Sequence, residues 1–393
     1  MDQRIDILMP PDSKSRYDVL PYFSIKFSEA LVRAGVNCRL LKAEKDNPKP
    51  FLDALYNDPP DCTLSFNGLL PDSQGRFFCD MIKIPHVACL IDSPSQYLIL
   101  ASSPYTIITC PDRFCCEFFK GLNCPNILFM PHAVERELAP SDEGVYEYDV
   151  TMLSSCIDYE AYAELWPSKY PKAVSDAMHE AVDTVLSDSE TSCIQAFIQT
   201  LDRHMAESGI NAGNLNYPEI FDQIEMYAKG KDRVELLRAI KDTPIHLFGS
   251  SQELWQKYLG KKSPVIFHGP VPFEKAVEVM KKSKIILNSC AWLKDGTHER
   301  ILAGLACGAL VLTNDNIYMR EHFKNGTNIA FYRMGEWVKV NQQINDLLVH
   351  PQKIRQMAAK GREIVMRDHT WDQRAKTLMK ELPPILKRIE MDI

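Results

Sequence analysis

The sequence predicts an α/β protein built from two doubly wound domains. Three observations carry this. Short, nearly continuous apolar runs alternate with longer amphipathic stretches, the pattern of parallel strands whose sheet is covered by helices on both faces. The rhythm occurs twice, once on either side of the linker-like Pro140-Ser-Asp-Glu-Gly144. The length, 393 residues, suits two domains of roughly 100–200 residues each.

In chain order, Ile5–Met9 is the first predicted strand, and Ser24–Ala34 a helix stopped by Gly35, a suitable C-cap. Strands follow at Asn37–Lys42, Cys62–Phe66, His86–Ile91, Thr106–Thr109 and Ile127–Met130, with helices around Arg76–Lys83 and Arg113–Lys120. These fill a first domain, residues 1–140. The second domain, 148–371, opens with a strand at Asp149–Ser154. Between about 158 and 243 the rhythm breaks, and Phe197, Ile198, Leu201 and Met205 show helical spacing, which predicts a helical insert. Strands resume at Ile245–Phe248, Val265–His268, Lys284–Asn288, Leu310–Thr313 and Asn328–Tyr332. The last stretch, 372–389, is an amphipathic helix expected to pack back on the first domain. Open α/β sheets bind ligands beyond the carboxyl ends of their strands. Two such domains facing a cleft predict an enzyme or binding protein with its ligand there.

Composition narrows the class. The hydrophobic fraction of 45% and charged fraction of 25% are those of a globular protein, and the net charge is −7. With no Lys/Arg block, a nucleic-acid partner is not expected. The 12 cysteines form no Cys-x-x-Cys pair and lie mostly in apolar runs, which reads as buried free thiols in a reducing cytoplasm. The first ten residues lack a signal pattern, and no apolar run reaches the roughly 18–20 residues of a membrane span. The expected location is cytoplasmic. The five tryptophans are dispersed and form no stacking platform.

The chemistry concentrates in residues 284–315. A strand ends at Asn288, and a loop carrying Asp295, Gly296 and Thr297 enters a helix with Thr297 as a suitable N-cap. Ala303, Gly304, Ala306 and Gly308 allow that helix to lie close to a sheet. Free N–H groups and the positive end of the helix dipole favour an anion at its start. Arg300, one turn in, adds a fork suited to phosphate oxygens, and His298 a further hydrogen bond. The bland alternative is an ordinary helix with a surface Glu299–Arg300 pair.

This segment resembles the C-terminal domain of GT-B glycosyltransferases, especially the group-1 type of spore-maturation-like (CgeB-like) bacterial proteins. The matching residues are Leu287-Asn288, Gly296, Arg300, Ala306-Cys-Gly-Ala309 and Leu312-Thr313. Phe267-His268-Gly269-Pro-Val271 resembles the family's turn upstream, and Gly361-Arg362-Glu363, His369-Thr370 and Arg374 its C-terminal pattern. Weaker echoes in the first half are Ser65-Phe66-Asn67, Ile91-Asp92-Ser93-Pro94 and Met130-Pro131-His132-Ala133. The resemblance implies the GT-B fold of two Rossmann-like domains. It also implies a metal-independent hexosyltransferase with a nucleotide-sugar, UDP-sugar favoured, as co-substrate and no other cofactor. His268, Gly269, Asn288, Asp295, Gly296, Thr297, His298, Glu299 and Arg300 would hold that donor. The acceptor would be a protein, a glycan or a small molecule. Where many relatives carry a ribose-gripping Glu this chain has Ala303, while Asp295 matches the earlier acidic position.

Glycosyl transfer needs positive charge for the leaving diphosphate and often a base for the acceptor. No Asp-x-Asp or His-x-x-x-His motif suggests a metal. Asp92, after a strand and before Ser93-Pro94, is the first candidate base, with turn capping as the alternative. His132 is the second, with interface packing as its alternative. Asn67 and the loop containing Ser13, Lys14 and Arg16 are expected at the acceptor side; a turn and a solvated loop are their alternatives. His86, at a strand start, reads as structural. Two other functions fit the same residues: a nucleotide-sugar epimerase, and a catalytically inactive scaffold that uses the insert as a partner surface. The sequence leaves a homo-oligomer open.

Overall fold

The computed structural model describes residues 3–10, 16–44, 47–141, 144–208, 213 and 215–392. The chain divides into two compact units, Met1–Glu137 together with Met366–Ile393, and Leu138–Val365.

The first unit is a six-stranded parallel sheet. Its strands are β1 (Arg4–Leu8), β2 (Asn37–Leu41), β3 (Cys62–Phe66), β4 (His86–Cys89), β5 (Thr106–Cys110) and β6 (Ile127–Phe129), in the order β2-β1-β3-β4-β5-β6. All residues of β3, β4 and β5 are buried, which is why their sequences read as unbroken runs rather than alternations. His86 sits in the sheet interior, its ring between Thr63 Oγ1 at 2.8 Å and Ser65 Oγ at 2.9 Å. Burial pulls its pKa down to about 3, so it stays neutral.

The C-terminal helix, Trp371–Asp392, packs on the helix Val19–Arg33 of this unit. Trp371 is 2% exposed and its ring lies 5.3 to 5.6 Å from Phe23, Phe27 and Phe66. Burying one such indole contributes on the order of 3 kcal/mol or more. Arg33 clasps Asp372 with two hydrogen bonds, and Arg374 donates to the carbonyls of Pro131 and His132.

The second unit is also a six-stranded parallel sheet: β7 (Tyr148–Leu153), β8 (Ile245–Phe248), β9 (Val265–His268), β10 (Ser283–Leu287), β11 (Leu310–Asn314) and β12 (Ala330–Tyr332), ordered β12-β11-β10-β7-β8-β9. The first strand of the unit, β7, is central. The winding reverses between β7 and β10, the switch point at which open α/β sheets bind their ligands. The connection from β7 to β8 runs, among the described residues, through the helices Tyr159–Lys169, Lys172–Ser187, Cys193–Ser208 and Tyr217–Ala239.

The helix Glu299–Ala306 lies tightly against β10 and β11. A methyl group on Gly304 would stand 2.9 Å from Val311 Cγ2 and 3.2 Å from Ile286 Cγ1, so a small residue is required there. One expectation is corrected. The helix starts at Glu299, with His298 rather than Thr297 in the N-cap position. Thr297 lies inside the protein, 1% exposed, and its hydroxyl has no partner among the described residues. The cap is one residue later because the His298 ring, not the Thr297 hydroxyl, accepts from the Arg300 amide.

Candidate functional site

The carboxyl ends of β7 and β10 bring two arginines together. Arg300 Nη1 donates to the Leu153 carbonyl, the last residue of β7, at 3.1 Å. Its Nη2 lies 3.1 Å from His298 Nε2. Its Nε is buried and has no partner among the described residues. Arg233, on the helix Tyr217–Ala239, donates to the Ser155 carbonyl at 2.9 Å. Burial, and next the charge of Arg300, pull the Arg233 pKa down to about 10. Arg300 and Arg233 therefore repel one another near the sheet's switch point, a repulsion that an anion would relieve.

The loop leaving β10 is held by its neighbours. Asn288 is buried, and its amide donates to Thr313 Oγ1 at 3.0 Å. Ser289 Oγ donates to Asp232 at 2.5 Å, and Trp337 Nε1 reaches the other carboxylate oxygen at 2.7 Å. Burial raises the Asp232 pKa. Lys294 is fully buried, 0% exposed, and its ammonium donates to the carbonyls of Val185 at 2.7 Å and Asp188 at 2.6 Å. Those carbonyls end the helix Lys172–Ser187, where the dipole favours a cation. Burial lowers the Lys294 pKa, while nearby thiols and carboxylates oppose that. Asp295 is buried, and the Gly296 carbonyl accepts a hydrogen bond from Asn316 at 3.0 Å. His298 Nδ1 stands 2.7 Å from Glu299 Oε2. Trp292 lies under the Lys229 ammonium, which is 4.4 Å from its ring centre.

His298, Glu299 and Arg300 therefore come together, with Asn288, Asp295, Gly296 and Thr297 in the loop beneath. His268 and Gly269 stand at the end of β9, two strands from β7. His268 pairs with His246 at 2.9 Å and stacks on Phe248 with centroids 4.3 Å apart. A methyl group on Gly269 would meet nothing within 4 Å, so that turn is open. Sequence reasoning missed Lys229, Asp232, Arg233 and Lys294. The first three lie with Glu225 at helical spacing on one face of a single helix, a signal that charge patterning on that stretch would have exposed.

In the first unit, the ends of β3, β4 and β6 bring Asn67, Asp92 and His132 together. Asn67 adopts a left-handed conformation, φ 60°, which Asn tolerates better than most residues. Its Nδ2 donates to Asp92 Oδ2 at 2.8 Å, and its Oδ1 accepts from the Ile91 and Asp92 amides at 3.0 and 3.3 Å. Asp92 is exposed, so one carboxylate oxygen is fixed from behind while the group faces solvent. His132 is buried and donates from Nε2 to the Ile91 carbonyl at 3.1 Å. Arg16 begins a short 3-10 turn, Arg16–Asp18, whereas Ser13 and Lys14 lie outside the described residues.

Among the described residues no group of three or more His, Cys, Asp or Glu is placed to hold a metal ion, and no helix is long and apolar enough to cross a membrane.

Residues 232–380 match the family model of glycosyl transferase-like proteins. The match opens at Asp232-Arg233 and takes in the whole loop and helix of the site. No curated protein sequence matches the chain. Among solved structures, Anabaena HepE in complex with UDP-glucose is 11% identical with a TM-score of 0.56, over 97% of this chain and 99% of that one. Sucrose-phosphate synthase from Thermosynechococcus elongatus is 10% identical with a TM-score of 0.56, over 98% and 100%. A glycosyltransferase from Rickettsia africae is 10% identical with a TM-score of 0.55, over 98% and 99%. The chain has the GT-B fold that these structures share.

Proposed function

We propose that this GT-B protein is a metal-independent hexosyltransferase that takes its sugar from a nucleotide-sugar held at the ends of β7 and β10. The observation that carries the reading is the Arg233–Arg300 pair, two half-buried guanidinium groups at the switch point of a Rossmann-like sheet. A diphosphate supplies the missing counter-charge. Its oxygens accept from the unused N–H groups of both arginines and from the first turn of the helix Glu299–Ala306. As the glycosidic bond to the diphosphate breaks, negative charge grows on the leaving oxygen, and the same groups stabilise it more strongly. A UDP-sugar is favoured because the similar HepE structure holds UDP-glucose.

Asp92 is the proposed base of the acceptor side. Its exposed carboxylate, fixed by Asn67, takes the proton of the acceptor hydroxyl as that oxygen bonds to the sugar's anomeric carbon. His132 holds the Ile91 carbonyl and orients Asp92 through it. The acceptor class remains protein, glycan or small molecule, and a cytoplasmic site of action is part of the proposal.

Calorimetry with UDP, GDP and ADP, followed by release of nucleotide from the matching sugar donors, tests this. Binding of one diphosphate and slow donor hydrolysis are expected. Failure of all three nucleotides to bind would overturn the reading. A binding-only role has one observation behind it: Ala303 is fully buried, so this helix turn offers no carboxylate to a ribose. Tight nucleotide binding with no donor turnover would favour that second reading.

A further inference from the structure

We infer that His298 is a positioning residue that holds Arg300 in place as a hydrogen-bond acceptor, so that donor binding requires a neutral His298. This rests on the reading of Arg300 as a ligand of the diphosphate.

The argument is one of donors and acceptors. A guanidinium has N–H groups and no lone pair to offer. The 3.1 Å contact between Arg300 Nη2 and His298 Nε2 therefore requires that Nε2 carry no proton. In the neutral ring the proton then resides on Nδ1. That nitrogen is 2.7 Å from Glu299 Oε2, a carboxylate placed to accept it. Glu299 thus selects the tautomer, and the tautomer presents a lone pair to Arg300. The Arg300 amide also points at Nδ1 from the longer distance of 3.3 Å, so the carboxylate at 2.7 Å has the stronger hold on that nitrogen. With Leu153 on Nη1 and His298 on Nη2, two of the three guanidinium nitrogens are anchored, which leaves the buried Nε and the remaining N–H groups to meet a ligand.

Proton uptake at Nε2 reverses the contact. An N–H would then face an N–H, and a third positive charge would join Arg300 and Arg233. Among the described contacts, Glu299 and Arg300 are the charged groups against this ring, and near Arg300 stand Arg233 and the Cys290 thiol, whose pKa burial raises to about 12. Glu299 favours the charged imidazole, but its carboxylate already accepts the Nδ1 proton of the neutral form.

The test is the affinity for UDP of the full-length protein, measured by calorimetry from about pH 8 to about pH 5.5, the range in which imidazole charge changes. Wild-type affinity should fall towards the acid end. His298→Gln puts an amide oxygen where Nε2 stands and has no proton to gain. It should keep the affinity at about pH 8 within roughly threefold and lose the acid decline. His298→Asn, which reaches only as far as Nδ1, and His298→Ala should each weaken binding about tenfold across the range, the effect of one lost charge-assisted hydrogen bond. Melting temperatures near wild type establish that the variants fold. Wild-type affinity in His298→Ala, or an unchanged acid decline in His298→Gln, overturns the inference. Arg300→Ala separates the two claims. If it leaves UDP binding unchanged, the diphosphate reading fails; if it weakens binding while His298→Ala does not, only the His298 role fails.

Discussion

Replacing Arg233 by methionine should move stability and nucleotide affinity in opposite directions. A pKa pulled from the ordinary 12.5 to about 10 means that folding keeps a charge in a place that disfavours it. The folded value lies below the unfolded one, so this cost is fully present at every pH below about 10. At about 1.4 kcal/mol per pH unit it is at most about 3.5 kcal/mol, and the part of the side chain that reaches water reduces that to about half. Losing the bond to the Ser155 carbonyl costs about 1 kcal/mol in return. Arg233→Met should therefore be as stable as the wild type or up to about 1 kcal/mol more so, whereas an ordinary substitution loses about 1 kcal/mol. Nucleotide affinity should fall by about 1.5–3 kcal/mol, roughly 10- to 150-fold, because a charged partner of the diphosphate is gone. Urea unfolding without ligand and calorimetry with UDP measure the two quantities. A variant that loses more than about 1 kcal/mol and still binds UDP as the wild type does would refute the reasoning on both counts.

Three further outcomes are expected. His86 is neutral in the folded chain and free to protonate in the unfolded one, so stability should fall as the pH drops from about 6.5 towards about 3; His86→Gln should flatten that slope in acid melts. Gly249→Ala would place a methyl carbon 2.0 Å from the Ser154 carbonyl oxygen, a backbone clash that should lower stability by more than about 3 kcal/mol or prevent folding, as expression and melting would show. Of the 12 thiols only Cys38 is half-buried, and burial raises its pKa to about 12; a disulfide reagent should label the native protein slowly and all 12 thiols once it is unfolded, and fast native labelling of several would contradict this packing.

The sheets were legible because parallel strands buried on both faces cannot hide their apolar runs. Cys62–Phe66, Ile245–Phe248 and Val265–His268 form strands over the residues read from sequence. The helix Lys49–Asn57 was not legible, since it is short, has a proline in its first turn and buries little beyond Leu55. Within the site, Arg300 and His298 stood out because a small-residue helix after a strand is an anion-binding pattern. Arg233 did not, because it sits in a long helix with charges throughout, where a buried arginine and a solvated one look alike. Its meaning came from the strand end to which the helix returns it. His298 takes the cap expected of Thr297 because a one-residue shift in where a helix begins leaves almost no trace in the sequence.

Lys294 makes the helical insert and the ligand loop dependent on each other. A chain that shed residues 158–243 would leave that ammonium in the interior without the carbonyls of Val185 and Asp188. Such a loss is tolerable only if position 294 changes in the same step. The insert is thus not a removable ornament on a Rossmann-like sheet, and grafting it onto another protein of this fold would require moving the loop 289–298 with it.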